Sequence, residues 1–324
     1  MRIFITGASG FVGGAAARDL SGGHTVMALS RSAASDAAIR ETGAEPMRGD
    51  LDTVTADMMR GCDAVIHCAA RVDAWGPMQE FWRTNVEGTV RMLEAARKAG
   101  VKRFIHIGTE AALFYGQDMI ALDEKAPLAF SSPFPYSRTK AHAERAVRAA
   151  NDTQAGFTTI VLRPRFVWGP GDKTILPRII DMAETGRFTW IDGGRARTDT
   201  AHIANLVHAI RLALDNGMGG EAYFITDGDE PVTFREFLTA LAATADVRLP
   251  DKSVPGALAR ALARLLVIAW RLMGRKDAPP LDPFSIAMMS KSCTLVIDKA
   301  KRELGYAPVI TRARGLQELG NPRP

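Results

Sequence analysis

The sequence predicts an α/β fold: a doubly wound parallel sheet with a smaller, mainly helical C-terminal lobe. Three observations point to it. Short β-branched runs alternate with Ala-rich helical stretches through the first 165 residues. Glycines 7, 10 and 13 follow the first of those runs. Past Pro164 the alternation gives way to helices with Pro- and Gly-rich joints. A chain of 324 residues has room for two lobes or one large α/β unit.

The strands are expected at 2–6, 24–29, 45–48, 63–67, 102–108 and 157–162. The helices between them fall at 11–21, 35–42, 53–60, 79–99 and 136–150. Strict βαβ alternation implies a parallel sheet with helices on both faces and right-handed crossovers. The runs at 63–67 and 102–107 are mostly apolar, as strands covered on both faces should be. Beyond Pro164, Pro and Gly cluster at 164–171 and 186–194. A helix at 201–214 and a strand at 222–226 return to the main sheet. From 227 onward the chain reads as helical, with a break at Asp277-Ala278-Pro279-Pro280. The expected division is 1–165 plus about 200–226 in one domain, and 166–199 with 227–324 in the other.

Composition narrows the function classes. Apolar residues make up 47% and charged residues 24%, which excludes a disordered or fibrous chain. The net charge of +5 is unevenly placed. Residues 256–324 hold 12 Lys and Arg against 5 Asp and Glu, and the preceding 255 hold 29 against 31. An evenly basic coat is excluded, and no nucleic-acid partner is expected. Cys62, Cys68 and Cys293 have the spacing of neither a zinc site nor a disulfide framework. Isolated thiols fit a reducing compartment. The first strand begins at residue 2, with glycines where a signal peptide would need its apolar core, so a cytoplasmic protein is expected. The longest strongly apolar run, Leu265 to Trp270, is too short to span a bilayer.

Thr6-Gly7-Ala8-Ser9-Gly10-Phe11-Val12-Gly13 lies between the first strand and the first helix. Glycines there let the backbone turn tightly and approach a pyrophosphate, and the helix start offers free N–H groups. This is the place a Rossmann-type dinucleotide-binding fold needs it. The second strand ends in Ser30-Arg31, where NAD enzymes usually place an acid for the ribose 2′-hydroxyl. A guanidinium favours a 2′-phosphate, so NADP(H) is expected ahead of NAD(H).

The three-residue spacing resembles the T-G-x-x-G-x-x-G of extended short-chain dehydrogenases/reductases. The resemblance implies cofactor contacts from Gly7, Ser9, Gly10, Phe11, Val12 and Gly13. It places Asp50 and Leu51 at the adenine and Cys68, Ala69 and Ala70 along the cofactor, and adds Pro164. Tyr136-Ser137-Arg138-Thr139-Lys140 is similar to the family's Y-x-x-x-K, with the two residues at i and i+4 on one helix face. A nearby ammonium is expected to lower the phenol's pKa, so that Tyr136 exchanges a proton with a substrate oxygen. Lys140 would also support the cofactor ribose. By the same resemblance Thr109, at the end of the fifth strand, would orient that oxygen. Asn85 would serve a proton relay through the Lys, or the helix geometry. Glu110, next to Thr109, reads as a salt-bridge partner.

Phe166 stands where sugar-nucleotide epimerases have an Asn, and Thr198 where they have an Arg, although a one-residue slip could recruit Arg197. Two lost phosphate anchors argue against a sugar nucleotide. The run Arg163-Pro164-Arg165-Phe166-Val167-Trp168-Gly169-Pro170-Gly171-Asp172 and the segments 222–228 and 298–306 resemble the 3β-hydroxysteroid dehydrogenase branch. Residues 72–76 look like the substrate loop of bacterial reductases of long-chain β-keto acids. The implied activity is NADP-dependent interconversion of a hydroxyl and a carbonyl on a bulky apolar alcohol or ketone. Trp75, Phe166 and Trp168 are candidate substrate walls, or else core packing. The alternatives are a nucleotide-sugar epimerase/dehydratase and a non-catalytic NADP sensor. The resemblance also implies a homodimer through helices 79–99 and 136–150. On helix 256–276, Arg260, Arg264, Arg271 and Arg275 fall on one stripe. Such a helix can lie peripherally on an anionic membrane, cover an apolar substrate or simply face water.

Overall fold

The computed structural model describes residues 1–320 except Gly274, Lys276 and Ala278, with Arg271 described by its backbone alone. The main sheet has seven strands, all parallel: β1 (Arg2–Thr6), β2 (Thr25–Ser30), β3 (Glu45–Arg48), β4 (Ala64–His67), β5 (Arg103–Ile107), β6 (Thr158–Pro164) and β7 (Glu221–Ile225). Their order is β7-β6-β5-β4-β1-β2-β3. The winding reverses between β1 and β4, so the crevice beyond their C-terminal ends is where a doubly wound sheet receives a ligand. Thr6 pairs with His67 and His67 with His106, which lines up three polar side chains just below that crevice.

Helices Phe11–Ser21 and Ile203–Asp215 cover one face through Ala16, Ala17, Leu20, Leu206, Ala209 and Ile210. Gly88–Lys98 and Pro135–Ala149 cover the other, where Met92, Leu93, Ala96 and Val147 meet Phe4, Val65 and Phe104. Small alanines on the inward faces let the helices sit close to the strands.

Two expected helices differ. The stretch 53–60 forms only a 3₁₀ turn, Ala56–Met59. The Asp50 carboxylate takes the backbone N–H groups of Asp52 and Thr53 and the Thr53 hydroxyl, and this local turn competes with helix initiation. The stretch 79–99 is helical throughout, but Trp82–Glu87 is a π-helical turn between Met78–Phe81 and Gly88–Lys98. Such turns are frequent at functional sites, and this one holds Asn85.

Beyond β6 a second core gathers Trp168, Phe188, Trp190, Phe234, Phe237 and Leu241. A small four-stranded sheet runs in the order Val232–Thr233, Arg197–Thr198, Cys293–Leu295, Met119–Leu122. It ties the C-terminal segments to the loop after β5. Helix Gly256–Leu272 packs inward through Ala259 and Ala263. Leu258, Leu262, Leu265, Ile268 and Leu272 of the same helix are exposed.

Candidate active site

The glycines after β1 have physical reasons to be glycines. Gly7 has φ +74, and a Cβ there would lie 2.9 Å from the Ala69 nitrogen. A Cβ on Gly13 would lie 2.4 Å from the Gly7 carbonyl oxygen. The loop, the first helix and the β4 end therefore approach as closely as bare backbone allows. No side chain caps the helix at Gly10, so its first N–H groups stay available to an anion. Ala69 N–H is pinned to the Thr6 hydroxyl at 3.1 Å, which presents Cys68, Ala69 and Ala70 along the same edge. This cradle of bare backbone and free N–H groups fits a dinucleotide pyrophosphate. Ser9, Phe11 and Val12 complete the turn and the first helical residues.

At the end of β2 the Ser30 hydroxyl donates to the Asp36 carboxylate, which is also ion-paired with Arg48. Arg31 is exposed and makes no hydrogen bond or ion pair among the described residues. Asp50 is held below the usual carboxylate range by its bonds to Thr53, and Leu51 packs over Gly88. The Asp36–Arg48 pair was not anticipated. Asp36 lies inside an expected helix, where an acid reads as a surface residue.

Thr109, Tyr136 and Lys140 converge at the C-terminal end of β5. The Thr109 hydroxyl donates to Glu110 Oε2 at 2.9 Å and accepts from Ala111 N–H at 3.2 Å. Tyr136 starts the helix Pro135–Ala149, with Pro at the first helical position. Its phenol lies beside Thr109, and its ring meets Phe284 edge-on at 5.6 Å. Behind Phe284 stand Phe134 and Phe114, with centroids 5.5 Å and 6.5 Å away. Phe284 escaped the sequence reading because it belongs to a distant C-terminal helix, Pro283–Ser290.

Lys140 is buried. Its ammonium donates to the Ile107 carbonyl at 2.8 Å and lies 3.0 Å from His106 Nε2. Burial brings it down to about 8, against the pull of the Glu144 carboxylate. His67, behind His106, bonds the Thr6 and Thr89 hydroxyls and is driven down to about 3 by burial, with the Lys140 charge adding to it. The expected lowering of the Tyr136 pKa by Lys140 is not found. The ammonium turns to the β5 backbone, and burial together with the Glu110 charge holds the phenol above its usual range. Asn85 accepts from Arg71 N–H at 2.7 Å and donates to Arg71 O and to Thr139 Oγ1. It thus fastens the loop after Ala70 to the Tyr136 helix through hydrogen bonds to Arg71 and Thr139.

The expected walls separate. Trp75 is half-buried in the loop before Met78. Phe166 is half-buried, at φ +45, with its ring against Phe234 and Phe237. A bulky residue held at positive φ is rare and marks a conformation imposed by its surroundings. Trp168 does not form a wall. It is fully buried, its indole N–H donates to Asp227 at 3.0 Å, and it packs against His202 and Phe237. The apolar aromatic run gave no means of telling it from Phe166.

Two buried ion pairs support the site: Arg163 with Glu144, and Arg165 with Glu110 at 2.5 Å. Arg165 also donates to the Thr198 hydroxyl at 3.0 Å. Pro164, between the two arginines, ends β6 and is buried.

Residues 3–226 match the NAD dependent epimerase/dehydratase family. A ketoreductase of Stigmatella aurantiaca acting on 4-hydroxy-2-methyl-3-oxo-4-farnesyl-3,4-dihydroquinoline-1-oxide is 41% identical over 100% of this chain and 97% of its own. A 2-alkyl-3-oxoalkanoate reductase of Stenotrophomonas maltophilia is 33% identical over 98% of each chain. A 3 beta-hydroxysteroid dehydrogenase/Delta 5-->4-isomerase of Mycobacterium tuberculosis is 30% identical over 98% of this chain and 89% of its own. The crystal structure of gox2253 superposes with a TM-score of 0.77 at 29% identity, covering 97% of this chain and 95% of that one. The glycine cradle, the Thr-Tyr-Lys centre and these likenesses agree. The chain belongs to the NAD-dependent epimerase/dehydratase family of extended short-chain dehydrogenases/reductases, with 3β-hydroxysteroid dehydrogenases among its relatives.

Proposed function

We propose that the chain is an NADP-dependent reductase that interconverts a ketone and a secondary alcohol on a bulky apolar substrate, of the β-keto lipid or 3β-hydroxysteroid type. One observation carries the reading: Tyr136 stands edge-on to Phe284, with Phe134 and Phe114 behind it. The proton-transferring group therefore faces an apolar aromatic wall. The cofactor, when bound, supplies or accepts the hydride. Tyr136 gives its proton to the substrate oxygen in reduction and takes it back in oxidation, while Thr109 lies beside that oxygen and the phenylalanines hold its carbon in place. Lys140 and Asn85 fix the helix that carries the Tyr. The relatives named above reduce or oxidise ring ketones, 3-oxoalkanoates and hydroxysteroids, which supports the substrate class.

Arg31 supports the NADP preference. It is free to meet a 2′-phosphate, while the nearby acid, Asp36, is already neutralised by Arg48. The runner-up reading, a sugar-nucleotide epimerase, lacks its phosphate anchors. Phe166 is packed on Phe234, Thr198 is buried under Arg165, and the exposed Arg197 guanidinium donates to the Pro231 carbonyl at 2.8 Å. A panel of steroid ketones, 3-oxoalkanoates and UDP-sugars, followed by NADPH absorbance, tests the choice. Stoichiometric NADPH consumption with an apolar ketone is expected. Interconversion of a UDP-sugar without net consumption overturns the reading.

The same reading extends to where such a substrate is met. No described helix is long and apolar enough to cross a membrane. Helix Gly256–Leu272 nevertheless exposes Leu258, Leu262, Leu265, Ile268 and Leu272 in one row, the last 83% exposed, with Arg264 on the row's flank. An outward leucine row bordered by guanidinium suits shallow seating on an anionic lipid surface. Co-sedimentation with phosphatidylglycerol vesicles, lost in Leu265→Glu, is expected. Equal sedimentation of both proteins contradicts it.

A further inference from the structure

Glu110 is buried, charged and in contact with the catalytic centre, and the mechanism above does not use it. One carboxylate oxygen is fixed by Arg165 at 2.5 Å, and the other takes the Thr109 hydroxyl proton at 2.9 Å. An ionised carboxylate only accepts, so the hydroxyl must be the donor in that bond. The Thr109 oxygen already accepts from Ala111 N–H at 3.2 Å. Its proton is committed, and what it can offer a substrate is a remaining lone pair. A ketone oxygen needs donors, and an alcohol product can donate to that lone pair.

Resting on the reductase reading, we propose that Glu110 is a positioning residue that sets the hydrogen-bond polarity of the centre. Clamped by Arg165, it turns Thr109 into an acceptor and leaves the Tyr136 phenol as the donor to the substrate oxygen. The centre is thereby poised for carbonyl reduction: Tyr136 stays protonated until the hydride arrives, and Thr109 receives the hydroxyl that results.

The groups around the Tyr136 phenol agree with this. Thr109 and Glu110 face it from the loop after β5, and Phe284 faces it from the C-terminal helix with no charge. Arg165, from the end of β6, is taken up by Glu110 and Thr198, and the Lys140 ammonium is turned to Ile107 and His106. Beyond Arg165 lie Asp199 and the buried Cys293 thiol. Burial does most to hold the phenol up, the Glu110 carboxylate adds to it by disfavouring the phenolate, and the Thr109 hydroxyl beside the phenol works the other way; Glu110 is thus the charge set against the phenolate.

The test needs no substrate. Tyr136 is titrated by its phenolate absorbance in the full chain, with and without NADP⁺, as the difference between a protein and its Tyr136→Phe version. In Glu110→Gln the midpoint should fall by about one pH unit or more, the usual size for loss of a near like charge. In Glu110→Asp it should stay near that of the unaltered protein. Because Glu110→Gln leaves Arg165 buried without its partner, the double variant Glu110→Gln/Arg165→Gln is measured beside it, and a smaller fall is expected there. An unchanged midpoint in both Gln variants overturns the proposal. Failure to reduce any ketone in the panel would count against the reductase reading alone and leave this titration interpretable.

Discussion

At the dinucleotide end, beyond β1, the protein contributes backbone. Gly7 and Gly13 leave no room for a Cβ, and the first helix starts with free N–H groups. At the proposed catalytic end, beyond β5 and β6, it contributes side chains locked by charge: Lys140 on the β5 backbone, Arg163 on Glu144, Arg165 on Glu110. The first leaves no space for an added atom at Gly7 or Gly13, and the second sets buried charges against each other. A bound pyrophosphate is met by dipoles that are always in place, whereas proton transfer requires groups whose protonation is set by neighbours.

The largest effect is expected at Glu144. Replacing it with Ala strands Arg163 in the core, and a loss of about 3–5 kcal/mol in unfolding free energy is expected, read by denaturant titration. A change under about 1 kcal/mol, the range of an exposed pair, would mean the ion pair is not the support claimed. Gly13→Val puts a side chain into the Gly7 backbone. A cost of about 1–3 kcal/mol in thermal stability, together with loss of measurable NADPH binding, should follow. Retained NADPH affinity would show that the close approach is dispensable. The smallest effect belongs to Arg31, which is exposed. Arg31→Ala should weaken NADPH binding about tenfold, a loss of ~1.4 kcal/mol in a charge-assisted contact, and leave NADH binding unchanged. Equal losses for both cofactors would remove the 2′-phosphate assignment.

The backbone-built end was legible because its constraints are written in residue type. Glycines at 7, 10 and 13, set between a strand and a helix, mark a turn that must admit bare backbone, and the six strands expected up to 162 all form. Thr109, Tyr136 and Lys140 were also legible and do come together, but their mutual electrostatics were not. Which way the Lys140 ammonium turns depends on His106 and the Ile107 carbonyl, and neither stands out in a buried strand. Glu110 was visible as a salt-bridge partner, yet its partner Arg165 lies 55 positions away and could not be paired with it by spacing. Trp168 and Phe166 sit two residues apart in one aromatic run, and only the fold separates a core indole from a half-exposed phenyl. The 53–60 helix failed because a single Asp50 turn outweighs weak propensity over so short a stretch.

Hydride transfer from NADPH to the substrate can be followed directly with a label. The protein is mixed with NADPH carrying deuterium at the transferable position and with a 2-alkyl-3-oxoalkanoate or steroid ketone, and the product is weighed by mass spectrometry. One deuterium on the new carbinol carbon is expected for each NADPH oxidised, with a loss of about 10²–10⁴ in rate when Tyr136 is replaced by Phe. A product without deuterium, or a Tyr136→Phe protein that reduces the ketone as fast as the unaltered one, would contradict the reductase reading.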